Sequence, residues 1–383
     1  MNEGSVAIRL NPFKKPQSEL PILKGSVPVP WCSHGHILRE RPVFTLHPLF
    51  HAGCYYVQDS SAMYVGHVLR KLLPSGLKGI RVLDLCAAPG GKTTDIAASL
   101  REKYGPDFLV VSNEVMRQRA SVLSDNVAIW GDPNVVVTSV DPGAFAQMPG
   151  FFDIVVADVP CSGEGMFRKD PRARQEWSED VVELCAARQK RILADMWPCL
   201  KEGGLLIYST CTYEEAENDE NLLWAASELG GEIMAPENEF ASSGVALTRC
   251  GNLLKVGDVP GEGQWVGVLR KTSSCPSGKQ SGLEALHPLR SGVRKGEWKG
   301  KDFVPDPDYA LSICFGRDDY PLVEVDKQTA LHYLHRDTLV LPDAPTGYLA
   351  LTYRGVPIGF VKNIGRRCNN LHPQSRRILM NVE

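Results

Sequence analysis

From residue 63 to about residue 200 the chain alternates short apolar runs with amphipathic stretches, and no other feature narrows its possible folds as much. "GIRVLDLCA", "DFLVVSNE", "NVVVTSVD", "FFDIVVADVP" and "LLIYSTCT" are nearly continuous apolar runs, the pattern of strands buried on both faces. "MYVGHVLRKLL", "KTTDIAASLREKYG" and "MRQRASVLSDNVAIWG" space their apolar residues as helices do, and "SEDVVELCAARQKRILADMWPCLKEGG" adds a serine at its start and glycines at its end. "EEAENDENLLWAASELG" reads as a further helix, acid-rich in its first turns as the helix dipole prefers. This order predicts an α/β fold with a parallel sheet covered by helices on both faces. "GNLLKVGDV" and "GQWVGVLRK" close it as an antiparallel pair. Such sheets bind ligands at the carboxyl ends of their strands, so the functional residues should follow each strand.

The flanks are different. Residues 1–62 hold two short strand candidates, "SVAIRL" and "CYYVQD", between Pro-rich connections, and two strands alone are not stable, so this segment should pack on the next unit. Residues 63–271 form the α/β unit. Residues 272–301 are rich in Gly, Ser, Pro and Lys and read as a basic linker. Residues 302–383 form a small C-terminal unit with a helix in "QTALHYLHRDT" and two strands in "GYLALTYRGVPIGFVKNIG", joined by a turn at Arg354–Gly355.

The sequence holds no apolar run long enough to span a membrane and no secretory leader, so a cytoplasmic protein is expected. Its eleven cysteines include no CxxC pair, which argues against a disulfide framework and against a metal site. A net charge of -3 is not a nucleic-acid binder's overall balance, but charge is uneven. Residues 271–301 carry seven Lys or Arg against two acids, and residues 354–383 carry six against one. These are either solvated surface or a basic face for phosphates. With no heptads, a monomer is expected.

The strand ends carry the chemistry. After the first strand, Cys86, Ala87, Ala88, Pro89, Gly90, Gly91 and Lys92 make a small-residue turn into a helix, which lets a ligand approach the backbone and its free N–H groups. The turn is neither G-x-G-x-x-G nor a P-loop. Glu114 after the second strand can accept ribose hydroxyls, and Asp141 after the third can cap a turn at Pro142 or accept from an adenine amino group. Together these ends point to a nucleoside-containing cofactor. Asp158 and Cys161 follow the fourth strand, and Cys211 follows the fifth. If both strands neighbour the first, the two thiols open into one cleft.

A disulfide, a metal site and plain packing compete with a two-thiol reaction as explanations. The reaction has a definite form. Carbon 5 of cytosine is not nucleophilic enough to accept a methyl group, but adding a thiolate at carbon 6 makes it so. An acid at ring nitrogen 3 stabilises the adduct, and a second group helps expel the thiol.

"VLDLCAAPGGKTT", "DIVVADVPCSGEGMFRKDP" and "GGLLIYSTCTYEEAENDENL" resemble the motifs of the NOL/NOP/Sun family of RNA cytosine-5 methyltransferases. "GYLALTYRGVPIGFVKNIGRRCNNLHPQSRRIL" resembles the C-terminal domain of the bacterial RsmF-type branch, which acts on 16S ribosomal RNA. The resemblance implies a Rossmann-like class I S-adenosylmethionine methyltransferase domain with a short N-terminal RNA-positioning segment and a small α+β, PUA-like RNA-binding domain. It implies that residues 86–92 line the S-adenosylmethionine pocket, Glu114 holds the ribose, Asp141 the adenine, and Asp158 the methionine end and target base. It makes Cys211 the nucleophile and Cys161 the residue that assists release; the residues alone leave those roles open. Arg168, Lys169, Arg172 and Arg174 would stand beside the RNA, or form a solvated basic loop. Where relatives carry an aromatic pair, Gln264 and Trp265 stand, which reads as a tolerated strand change; almost nothing precedes "SVAIRLNPFK", where relatives carry a helical segment. The competing functions are an RNA-binding ribosome-assembly factor, a tRNA cytosine-5 methyltransferase, and a small-molecule methyltransferase for which the basic C-terminal unit would be superfluous.

Overall fold

The structure is a computed structural model that describes residues 6–168, 171–237, 239–276 and 281–382. The N-terminal segment contains four strands: β1 (Ala7–Leu10), β2 (Val27–Val29), β3 (Cys32–Ile37) and, after the short helix α1 (Pro48–His51), β4 (Tyr55–Val57). They form an antiparallel sheet in the order β2-β3-β1-β4. Two of these strands have no sequence signature. "VPV" is interrupted by proline and "CSHGHI" by polar residues and glycine, so neither shows the alternation that marks a half-buried strand.

The central unit follows the expected rhythm. Helix α2 (Tyr64–Leu72) leads into β5 (Ile80–Asp84), α3 (Gly91–Tyr104), β6 (Phe108–Asn113), α4 (Arg117–Trp130), β7 (Val135–Thr138) and β8 (Phe152–Asp158). After α5 (Pro171–Glu176) come α6 (Glu179–Met196), β9 (Leu200–Thr210), α7 (Asp219–Leu229), β10 (Gly231–Ile233), β11 (Val245–Leu247), β12 (Gly251–Leu254) and β13 (Gln264–Lys271). The Ser178 hydroxyl caps α6 by accepting from the Val181 N–H. The strands β9-β8-β5-β6-β7 are parallel, and β13, β12 and β11 extend the sheet antiparallel beyond β9. The fifth parallel strand therefore lies beside the fourth, not beside the first as assumed from the sequence.

Alternation along the strands divides the apolar side chains between two cores. Val82, Val110, Val137 and Ile154 pack with α2, α3 and α4 on one face, while Leu83, Val111, Val136 and Val155 pack with α6 and α7 on the other. Each such side chain removed from water contributes roughly 1.5–3 kcal/mol.

The stretch read as a linker is not free chain throughout. Within it, β14 (Arg290–Ser291) adds antiparallel to the edge strand β7, and β15 (Gly296–Lys299) pairs with β16 (Asp302–Pro305). Much of its basic charge is already matched: Arg290 with Asp308, Arg294 with Asp306, and Lys295 with Asp319. The C-terminal sheet comprises β17 (Leu322–Glu324), β18 (Gly347–Tyr353), β19 (Val356–Asn363) and β20 (Cys368–Asn370), with helix α8 (Lys327–His335). Arg354 and Gly355 both take positive φ in the β18–β19 turn, the conformation a two-residue hairpin requires.

Candidate active site

The register of the sheet builds the site. β8 and β9 run parallel with Asp158 opposite Ser209, so the loops that follow them leave the sheet side by side. Cys161 and Cys211 sit on those two loops, and their Sγ atoms lie 3.2 Å apart, in hydrogen-bond contact rather than bonded. Both are half-buried. The pair is polarised. The S–H of Cys161 holds the Cys211 thiol below its ordinary value, and the Lys92 ammonium adds to this against burial and Asp158. Cys161 is pushed up by that same contact, by burial and by the Glu217 carboxylate. Lys92 acts on Cys211 and Glu217 on Cys161, and both influences favour ionisation at Cys211 over Cys161.

Asp158 stands beside the thiols with three donors on its carboxylate. Lys92 Nζ, from the start of α3, donates to Oδ2 at 2.8 Å; Ser209 Oγ donates to Oδ1 at 2.7 Å and Gln264 Nε2 at 3.0 Å. Gln264 is thus no neutral strand change. Trp265 pairs with Thr210 across β13 and β9, which directs the neighbouring Gln264 side chain to the strand ends. Sequence reasoning missed its role because the partner strand and the register set it.

The other expected residues line the carboxyl ends of β5, β6 and β7. In the turn from Cys86 to Gly91, Gly90 takes φ +112°, and a side chain there would press on Leu123. The turn is held from outside: Arg119 donates to the Ala88 carbonyl, and Asn126 and Tyr56 donate to that of Pro89. Burial pushes the Cys86 thiol well above its ordinary value. Helix α3 has no side-chain cap, which leaves its first-turn N–H groups available to a ligand. Glu114 is buried, accepts from the Met116 N–H and pairs with Arg119 at 3.2 Å. Asp141 is exposed and caps the following turn by accepting from Gly143 N–H.

Asp84, at the end of β5, was not singled out in the sequence. It is fully buried, accepts from Thr93 Oγ1 at 2.6 Å through Oδ2, and has no hydrogen-bond partner for Oδ1 among the described residues. Burial pushes it up to about 7. An orphaned acceptor, open helix N–H groups and a row of strand-end carboxylates fit a polar, nucleoside-containing cofactor.

Of the basic residues expected beside a target, Arg168 is committed to a fork with Glu262 (Nε–Oε2 2.9 Å, NH2–Oε1 2.9 Å). Arg174 lies over the Phe167 ring. Lys169 lies outside the described residues. Glu262 belongs to a loop whose Gly263 has φ +98° and packs so closely on the Tyr213 hydroxyl that no side chain fits.

The family comparisons agree along the chain. Residues 75–227 match the model for 16S rRNA methyltransferase RsmB/F, residues 320–378 that for the methyltransferase RsmF PUA domain, and residues 1–60 that for the N-terminal domain of 16S rRNA methyltransferase RsmF. The chain is 35% identical to ribosomal RNA small subunit methyltransferase F of Pectobacterium atrosepticum, over 91% of this chain and 83% of that protein. It is 37% identical to the namesake from Cronobacter sakazakii, over 91% and 84%. Against that of Escherichia coli O157:H7 it is 35% identical over 65% of this chain and 52% of that protein. Among solved structures, a methyltransferase homolog protein from Pyrococcus horikoshii superposes with a TM-score of 0.57 at 26% identity, covering 70% of this chain and 86% of that one.

Proposed function

Since the chain belongs to the RsmF family of 16S rRNA methyltransferases, we propose that it methylates carbon 5 of a cytosine in 16S ribosomal RNA through a covalent cysteine adduct. The observation that carries this reading is the polarised thiol pair, 3.2 Å apart, beside the Asp158–Lys92 pair.

Cys211 is the nucleophile. Its thiolate, favoured by the Cys161 S–H and by Lys92, adds through Sγ to carbon 6 of the cytosine, and the C5–C6 electron pair moves to carbon 5. Asp158, held by Lys92, Ser209 and Gln264, passes the proton given up by Cys211 to ring nitrogen 3 and so stabilises the adduct. S-adenosylmethionine, when bound, supplies an electrophilic methyl group. Loss of the carbon-5 proton to water then restores the C5–C6 double bond and expels the Cys211 sulfur as a thiolate, which the Cys161 S–H receives at hydrogen-bond distance.

Residues 86–92 line the cofactor pocket, Glu114 holds the ribose and Asp141 the adenine. Asp84, two residues before this turn, keeps a buried acceptor oxygen that has no partner among the described residues. Residues 1–62 and 302–383 hold the RNA, and a base within a duplex has to be turned out of its stack to reach the thiols. The enzyme acts as a cytoplasmic monomer; among the described residues no helix is long and apolar enough to cross a membrane.

The test is to incubate the protein with labelled S-adenosylmethionine and total RNA from a strain lacking the gene, then map 5-methylcytosine. No label on any RNA sinks the reading; label confined to transfer RNA redirects it. Cys161→Ala should accumulate a covalent protein–RNA adduct and Cys211→Ala should form none. The reverse pattern exchanges their roles.

A further inference from the structure

Two carboxylates beside the thiols have no part in the reaction as described, and they are arranged crosswise. Glu164 lies on the loop of Cys161, three residues after it, and grips the loop of Cys211: its Oε2 accepts from Thr212 Oγ1 at 2.9 Å and from the Tyr213 N–H at 2.5 Å. Glu217 lies six residues after Cys211 and grips the loop of Cys161: Oε1 and Oε2 accept from the Ser162 N–H at 3.3 and 3.1 Å. Glu217 is fully buried. It is not one of the solvated first-turn acids that its sequence run suggested; it lies in a turn just before α7. Gln189 of α6 donates to its Oε2 at 2.7 Å and to the Pro160 carbonyl at 3.0 Å, so the carboxylate is itself fixed to the base of the Cys161 loop. Two further bonds join the loops, from the Gly165 N–H to the Cys211 carbonyl at 2.8 Å and between the Ser162 and Thr212 hydroxyls at 3.0 Å.

We propose that Glu164 and Glu217 are reciprocal positioning residues: each carboxylate, carried on the loop of one thiol, fixes the loop of the other, so that Cys161 keeps its S–H on Cys211 and the reactive anion forms at Cys211. The two loops leave adjacent parallel strands whose paired register ends at Asp158 and Ser209, and beyond it the one backbone bond between the loops among the described residues is that from Gly165 to Cys211. The side-chain acceptors supply most of the cross-links that a continued ladder would have made. Glu217 also contributes by its sign, because a negative charge on the Cys161 side disfavours ionisation there. The purpose of the device rests on the methyl-transfer reading, but its test does not.

The test is the pH profile of iodoacetamide labelling at Cys211, read by peptide mass spectrometry in the absence of RNA. The groups facing Cys211 are Cys161, Lys92, Asp158 and Tyr213, with Glu164 and Glu217 one contact further out. In the unaltered protein Cys211 should label well ahead of Cys161. Glu164→Ala and Glu217→Gln should each move the Cys211 midpoint upward, with about tenfold slower labelling at neutral pH, the change expected when one hydrogen bond to a thiolate is lost. Glu164→Gln keeps an acceptor and should stay within about twofold of the unaltered protein. Glu164 is only half-buried, so Glu164→Ala decides the matter if Glu217→Gln melts early. An unchanged Cys211 profile in folded Glu164→Ala overturns the proposal. Absence of RNA methylation alongside the expected labelling shifts would instead defeat the methyl-transfer reading and leave the clamp standing.

Discussion

Replacing Asp84 with asparagine should make the protein more stable at neutral pH and worse at holding its cofactor. The carboxyl is fully buried, receives one hydrogen bond, from Thr93, and leaves Oδ1 without a partner among the described residues. Burial raises it from 3.8 to about 7, opposed by the Thr93 bond and Lys92 and aided by Asp158. Between those two values the folded protein keeps a proton that the unfolded chain has lost, so stability falls as pH rises through this window. The difference is roughly three pH units at about 1.4 kcal/mol each, or about 4 kcal/mol of destabilisation. It is present in full above about pH 7 and disappears as pH falls toward 4. Asparagine carries no charge to bury but sets an amide donor where Oδ1 was, at a cost of about 1 kcal/mol. Asp84→Asn should therefore be about 3 kcal/mol more stable than the unaltered protein in urea unfolding near pH 8, and the advantage should shrink severalfold near pH 5. Calorimetric binding of S-adenosylmethionine should weaken, because the free acceptor is lost. A stability difference that is the same at both pH values would refute the linkage, and unchanged cofactor affinity would remove Asp84 from the pocket.

Two other substitutions probe the supports of the site. Gln264→Leu removes one of three donors to Asp158 at nearly constant volume, so turnover should fall about tenfold with unfolding free energy within about 1 kcal/mol of the original; unchanged turnover would restore its reading as a neutral strand position. Arg9→Met should cost about 3–5 kcal/mol in urea unfolding, since Arg9 is buried against Asp95 and Trp130 and donates to Gln58, the Gly91 carbonyl and Thr94. A loss below about 1 kcal/mol would show that the N-terminal sheet is not anchored there.

The parallel strands were legible because a strand buried on both faces must be apolar at every position, as "FFDIVVADVP" and "LLIYSTCT" are. The meeting of Cys161 and Cys211 was legible from the rule that such sheets work at their carboxyl ends, although the expected neighbour was wrong: β9 lies beside β8, and the Asp158–Ser209 register brings the loops together. What stayed hidden depended on partners distant in sequence. β3 is a strand because β1 and β2 pair with its backbone, not because its side chains alternate. Glu217 lies in an acidic run before a helix, where solvated dipole-matching acids are the norm, and only the fold turns it inward to Ser162. Gln264 reaches Asp158 because an antiparallel strand happens to end there.

The placement of β1 bears on how the protein is made. Ala7 packs into the core shared with the catalytic sheet, whereas its neighbour Ile8 packs into one shared with Leu331, Leu349 and Ile358. β1 thus shows one apolar face whose partners on the C-terminal unit, Leu331, Leu349 and Ile358, are joined some 320 to 350 residues after it. At about ten residues per second this leaves Ile8, Leu38 and Leu49 without those C-terminal partners for on the order of half a minute. The nascent N-terminal sheet therefore waits longest for its full core, and a ribosome stalled before the C-terminal unit should yield an aggregation-prone fragment even though its catalytic sheet is complete.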